Sequence, residues 1–287
     1  MIQQKPQTKI LVDGGDPSET LRIKNLIGFV DGQTTNPSLI AHNPEIMALV
    51  KSGHKLSKAE QDTEYKKIVQ SISTLVGDCG VSIEVFADID TKAEAMFAEG
   101  KDKFTWIPNA YIKYPCTHEG LKAAEMSVAA GMRVNITLVF TQSQAAAVYA
   151  ATKNSKEPVY ISPFVGRLDD KGQNGMSLIK NIKEMLKVGD GHVKVLVASI
   201  RSIEHLMYCF ALQADLATVP TKILEAWASK GFEIPKYSYI YDAKGLNEIP
   251  YQNLDLEKSW QNFDISHELT TKGIEKFVAD YHETLNI

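Results

Sequence analysis

The feature that most restricts this chain is the regularity with which short β-rich runs alternate with helical patterns from one end to the other. Runs rich in β-branched and aromatic residues predict strands at Lys9–Asp13, Gly28–Asp31, Val81–Ala87, Ala110–Pro115, Met132–Phe140, Val159–Val165, Val193–Ser199 and Asp215–Val219. Helix-start patterns of the form S/T-x-x-E/Q fall between them, at Ser57 with Glu60, Thr91 with Glu94, and Thr141 with Gln144. Strand-helix units repeated in series without a low-complexity linker predict a single-domain α/β fold, a (β/α)8 TIM barrel with additional C-terminal helices. An open doubly wound sheet is the competing arrangement. The 287 residues suit one such domain, with the barrel over about 8–230 and an extension over about 231–287. That extension opens with an aromatic loop around Pro235, Tyr237, Tyr239 and Tyr241 and is expected to pack across the barrel and cover its mouth. The charged stretch Lys51–Lys67 reads as a solvated loop and helix face without a function.

Composition removes several function classes. A formal charge of −4 with interspersed signs offers no basic stripe for a nucleic-acid partner. There is no apolar run of the roughly 18 residues a membrane helix needs, and MIQQKPQTK lacks an apolar signal core, so no membrane partner and a cytoplasmic location are expected. Cys79, Cys116 and Cys209 lack CxxC spacing, and the histidines lack HxxxH or HxxEH spacing, so neither a disulfide framework nor a metal site is expected.

Two segments carry chemistry. In TTNPSLI (Thr34–Ile40) the residue before a proline is driven toward extended geometry, so Asn36 should finish a strand with its amide above the strand ends. The plainer alternative is a turn in which Ser38 caps the next helix. In YIKYPCT (Tyr111–Thr117), Lys113 lies inside an aromatic and apolar run, where burial disfavours the ammonium and yields the neutral amine that Schiff-base chemistry requires. Pro115 closes that strand and Thr117 can cap the following helix.

Other polar residues gather at strand ends: Asp13 after the first, Glu84 in the third, and Asn135 with Thr137 on one face of the fifth. Ser162 and Phe164 share parity in ISPFVGR, as Ser199 and Arg201 do in VLVASIR. One inward polar residue is usually a satisfied core hydrogen-bonder; most strands carrying one is a site. Arg167 and Arg201 fall just past strand ends, and Arg201 precedes an expected helix from Ser202 to Leu212. A cation there opposes the helix dipole unless an anion lies between them, so the two arginines with Ser199 form a credible phosphate cradle.

TTNPSLI, the IKYP strand, NITLVF with Gln142 and Gln144, ISPFVGR and ASIR occur in the order of the transaldolase and fructose-6-phosphate aldolase family, which the chain resembles over about Lys9 to Trp227. The resemblance implies that Lys113 forms the Schiff base, that Asp13 takes the proton from the hydroxyl whose loss cleaves the carbon-carbon bond, and that Glu84 works with a water held by Thr137. It implies that Asn36, Asn135 and Ser162 hold the dihydroxyacetone hydroxyls and that Arg167, Ser199 and Arg201 hold the terminal phosphate. The implied reaction transfers dihydroxyacetone from sedoheptulose 7-phosphate or fructose 6-phosphate to glyceraldehyde 3-phosphate or erythrose 4-phosphate, in the non-oxidative pentose phosphate pathway. It needs no cofactor, and a homo-oligomer is expected. Glu84 and Phe164 match the transferase branch rather than the aldolase branch, which resembles it but carries glutamine and tyrosine there. A fructose-6-phosphate aldolase, a sulfofructose transaldolase and a non-catalytic sugar-phosphate-binding barrel are the alternatives. DGGD in place of the commoner DTGD, and Tyr114 in place of a smaller aliphatic, are departures from the family pattern.

Overall fold

The computed structural model describes residues 5–285; the outermost positions of the unit expected over 1–287 lie outside the described residues. The chain runs β1 (Lys9–Asp13), α1 (Pro17–Ile27), β2 (Gly32–Thr34), α2 (Pro37–Ala41), α3 (Pro44–Lys51), α4 (Lys58–Ser73), β3 (Gly80–Glu84), α5 (Ala93–Phe104), β4 (Ala110–Pro115) and α6 (His118–Ala129). It continues as β5 (Val134–Val139), α7 (Gln142–Ala151), β6 (Val159–Pro163), α8 (Val165–Asp169), α9 (Gly175–Leu186), β7 (Val193–Val197), α10 (Ile203–Ala211), β8 (Leu216–Val219), α11 (Thr221–Ser229) and α12 (Glu268–Glu283). All eight strands are parallel and close in sequence order, β8 pairing back to β1, so the (β/α)8 TIM barrel expected from the alternation is the fold and the open sheet is not.

Each strand overlaps its expected range, several of them trimmed as Met132–Phe140 is to Val134–Val139, except the second, which lies at Gly32–Thr34 instead of Gly28–Asp31. The apolar run Ile27, Phe29, Val30 belongs to the end of α1 and its exit. Gly28 adopts φ 92° as the left-handed cap, and its N–H donates to Lys24 O, which stops the helix and leaves no room for a strand before Gly32. The expected strands at Val81–Ala87, Val159–Val165 and Val193–Ser199 end earlier than predicted, at Glu84, Pro163 and Val197. Capping boxes form at Ser57/Glu60 and Thr141/Gln144. None forms at Thr91/Glu94, because the Thr91 hydroxyl donates to Asp88 at 2.5 Å and α5 starts after Lys92 without a side-chain cap.

Period-two alternation splits the barrel interior into layers. The lower layer is apolar and aromatic: Leu11, Tyr111, Tyr160, Leu196 and Leu216 pack with Cys79, and the Tyr111 and Tyr160 rings stack at 4.1 Å. Two residues further along each of these strands lie Asp13, Lys113, Ser162, Ala198 and Thr218, where polar groups dominate.

The extension covers the mouth, as expected. Trp260, Phe263 and Ile265 are buried in the passage leading to α12, and Gln144 Nε2 donates to Ile265 O at 3.0 Å. Helix α12 is pinned where its Thr270 hydroxyl donates to Leu138 O at 2.9 Å and where Gln61 Nε2 donates to the Thr284 hydroxyl at 2.7 Å. Within the stretch read as a solvated face, Gln61 and Tyr65 are buried, so the inner side of α4 is structural.

Candidate active site

A cavity of about 330 Å³ opens at the carboxyl ends of the strands and is lined by eight of the eleven residues singled out in the sequence: Asp13, Asn36, Lys113, Ser162, Phe164, Arg167, Ser199 and Arg201. Glu84, Asn135 and Thr137 lie outside this lining, buried in the barrel wall. Lys113 and Glu84 stand in register on adjacent strands, both about 4% exposed, with Lys113 Nζ 3.0 Å from Glu84 Oε2. This contact is a charge pair, and among the described residues Glu84 Oε2 has no hydrogen-bond partner. Lys113 Nζ also donates to Thr35 O at 3.2 Å. Burial raises Glu84 above the ordinary carboxylate value, and the neighbouring Lys113 draws it part of the way back.

Asp13 ends β1 and accepts from the Thr34 hydroxyl at 2.8 Å. Burial pushes its carboxyl upward too, opposed by Lys113 and then by Thr34. Asn135 and Ser162 are coupled: the Ser162 hydroxyl donates to Asn135 Oδ1 at 2.8 Å, while Asn135 Nδ2 donates to Ser82 Oγ at 3.0 Å. Each end of the Asn135 amide thus makes one hydrogen bond to the protein, and Ser162 lines the cavity. The Thr137 hydroxyl is buried without a partner among the described residues, an arrangement that costs about 1–3 kcal/mol unless something else satisfies it.

Asn36 does not finish a strand. β2 ends at Thr34, and Asn36, extended at φ −158°, caps α2 by accepting from Leu39 N at 2.9 Å, which leaves its amide NH₂ for the cavity. The cap is therefore Asn36 and not Ser38, whose hydroxyl instead donates to Asp280. Ser199 lies past β7 in the left-handed region at φ 58°, so its relation to Arg201 comes from a turn and not from strand parity.

The two arginines differ. Arg167 stands between aromatic faces, its guanidinium carbon 5.1 Å from the Phe164 ring centre and 5.6 Å from that of Phe277. Among the described residues it makes no ion pair with an acid. Burial and then the nearby Arg201 both lower its hold on the proton. Arg201 is about half exposed and paired with Asp170. Two guanidinium groups at the cavity edge, one without a counter-ion, form a cradle for an anion.

The chain matches the transaldolase/fructose-6-phosphate aldolase family over residues 10–287. It belongs to that family. A probable transaldolase of Maricaulis maris (strain MCS10) is 36% identical over 259 residues, which span 90% of this chain and 89% of its own. Probable transaldolase 2 of Listeria monocytogenes (serovar 1/2a, strain EGD-e) is 34% identical over 275 residues, 95% of each chain. A probable transaldolase of Phocaeicola vulgatus (strain ATCC 8482) is 34% identical over 265 residues, 92% of this chain and 93% of its own.

In this transaldolase-family site, the sequence reading missed everything that α12 brings. Lys276, Phe277 and Asp280 line the cavity, and Asp280, 1% exposed, accepts from Ser38 and pairs with Lys276. Gly273 lets α12 press onto the arginine: a Cβ there would lie 2.7 Å from Arg167 Nη1 and 2.5 Å from Leu138 Cδ2. The one available signal was the 3- and 4-residue spacing of Gly273, Lys276, Phe277 and Asp280, which puts them on one helix face. No helix among the described residues is long and apolar enough to cross a membrane.

Proposed function

We propose that the chain is a transaldolase that carries a dihydroxyacetone unit from a ketose phosphate to an aldose phosphate through a Schiff base on Lys113. The observation that supports this most is the buried Lys113 amine at the cavity floor, 3.0 Å from Glu84 Oε2. A lysine attacks a carbonyl only as the neutral amine, and Glu84 is placed to take its proton. Attack on the ketose carbonyl gives a carbinolamine. Glu84 returns a proton to the departing hydroxyl, water leaves, and the protonated imine becomes the electron sink. Asp13, its affinity for a proton raised by burial, removes the proton from the hydroxyl next to the bond that breaks. An aldose phosphate departs and the enamine remains on Lys113. A second aldose phosphate then accepts the three-carbon unit by the reverse steps.

Within this reading Ser162 and the Asn36 amide hold the donor's hydroxyls, Asn135 holds Ser162, and Arg167, Ser199 and Arg201 hold the terminal phosphate. The partnerless Thr137 hydroxyl supports a water in the proton exchange with Glu84. Phe164, 8% exposed and lining the cavity, excludes water and has no hydroxyl to direct one at the enamine. The test is an assay of both products side by side with fructose 6-phosphate as donor. Transfer to erythrose 4-phosphate with little free dihydroxyacetone is expected, and Phe164→Tyr should release measurably more. Rapid release of dihydroxyacetone by the parent without an acceptor would make it an aldolase.

A further inference from the structure

Outside the barrel, a second buried lysine touches the same strand end. Lys103, in the last turn of α5, is 4% exposed, and its ammonium donates to the main-chain O of Glu84 at 3.0 Å. It pairs with Glu99 Oε1 at 2.9 Å and lies 4.8 Å from the Tyr65 ring centre and 5.3 Å from that of Trp106. Tyr65, on α4, takes the other main-chain group: Glu84 N donates to the Tyr65 hydroxyl at 3.0 Å. That hydroxyl is 2.6 Å from Thr35 Oγ1, whose own proton goes to Ser82 O at 2.8 Å, so Tyr65 donates to Thr35. The main-chain O of Thr35 then accepts from Lys113. Both main-chain polar groups of Glu84 are therefore held by side chains from helices outside the barrel. Lys103, Tyr65 and Glu84 also share one small cavity of about 20 Å³ with Gln61 and Asp62.

We propose that Lys103 is a positioning residue for Glu84, fixing the end of β3 from outside the barrel and adding a second positive charge behind the carboxylate that faces Lys113. The inference rests on the Schiff-base reading given above. Of the three donors on this ammonium, one faces Glu99 and one is given to the peptide group of the proposed acid/base, which ties the end of β3 to α5. The charges facing Glu84 are Lys113 from β4, Lys103 from α5 and Arg167 from α8. Lys113 opposes the upward push of burial most, Lys103 next and Arg167 least. Glu99 on α5 offsets Lys103 from one side, and Asp62 on α4 faces the same cavity. The α12 side chains that share a cavity with Glu84 are Ile274, Phe277 and Val278, which are apolar, and Tyr281, whose phenol burial pushes upward and keeps neutral.

The experiment is the pH dependence of kcat/KM for fructose 6-phosphate in the full chain, with borohydride trapping as a parallel readout. Glu84 acts first as a base, so activity falls as it takes a proton; the acidic limb of kcat/KM contains it together with Asp13, whose neighbours are Lys113 and Thr34 and not Lys103, and the pH dependence of trapping reports imine formation, the step assigned to Glu84. Lys103→Met should move that limb to higher pH by about one unit, the usual size for loss of one nearby opposite charge. Lys103→Arg should bring it back. Glu99→Gln, which removes the charge that offsets Lys103, should move the limb the opposite way, and it decides the matter if Lys103→Met does not fold. Opposite displacements are not the signature of loosened packing. A limb that stays put in folded variants that still trap the adduct, or that moves to higher pH in Glu99→Gln, overturns the proposal. A parent that traps no adduct is a different failure, since it overturns the Schiff-base reading beneath it.

Discussion

The two layers of the barrel interior are two residues apart on the same strands and are built from opposite chemistry. Below, Tyr111 and Tyr160 stack inside a ring of leucines. Above, Lys113 and Ser162 on those two strands belong to a charged and hydroxyl-rich layer in which Glu84 and Thr137 are buried, and Asp13 half-buried, at a cost. The backbone is the same in both, so the difference lies in what each layer does. The lower one fills the barrel as any core does and stabilises it. The upper one keeps groups that would be better solvated elsewhere, and the fold tolerates them because the lower layer and the surrounding helices hold the strands in place.

That contrast is most sharply tested by moving one substitution between layers. Glu84→Gln should lower turnover about 10²- to 10⁴-fold, the usual range for a lost general acid/base, while leaving the fold intact by circular dichroism. Unchanged turnover would make Glu84 part of the core after all. Tyr160→Ala in the lower layer should do the reverse: a loss of roughly 3–5 kcal/mol in denaturant unfolding, with activity per folded molecule nearly unchanged. If its activity falls more than its stability, the layers are not separate.

A smaller effect sets the anion cradle apart from the floor. Arg167→Ala should weaken phosphorylated ketoses about 10- to 100-fold, the usual scale of a lost charge-assisted hydrogen bond, and leave free dihydroxyacetone as donor little affected. Equal losses for both donors would remove Arg167 from the cradle.

The smallest expected effect concerns stability and pH. The folded-state pKa of Asp13 is raised above its ordinary 3.8, so between the unfolded and folded values the native chain holds the extra proton. Its contribution is therefore fully present at low pH and is lost as pH rises from below 3.8 through the raised value. Asp13→Asn should flatten that fall, making the variant more stable than the parent at pH 7 and no more stable at pH 3. Urea unfolding at both values checks it, and an equal offset at the two would show that burial of this carboxylate is not the cause.

Much of this was legible in the sequence because it is local. Period-two parity put Asn135 and Thr137 on one face, the Thr141/Gln144 spacing wrote a capping box, and the lysine inside YIKYP announced its burial. What failed was also local, where a glycine's role was misread: Gly28 ends α1 instead of opening a strand. What stayed invisible joins distant parts of the chain. Ser38 meets Asp280 from 242 residues away, Gly273 lies on Arg167, and Tyr65 and Lys103 reach Glu84 across the wall of the barrel. Along the sequence Lys103 belongs to a KDK run like any solvated helix end, and only the approach of α5 to β3 gives it another meaning.

The central claim, that the polar layer is built around an imine-forming lysine, meets its most direct test in one measurement. The parent is incubated with fructose 6-phosphate, reduced with borohydride, digested and read by mass spectrometry, beside Lys113→Arg, whose guanidinium cannot form the imine. The account predicts a single reduced dihydroxyacetone adduct on the peptide carrying Lys113, absent from the variant. An adduct on another lysine, or one that persists in Lys113→Arg, would contradict it.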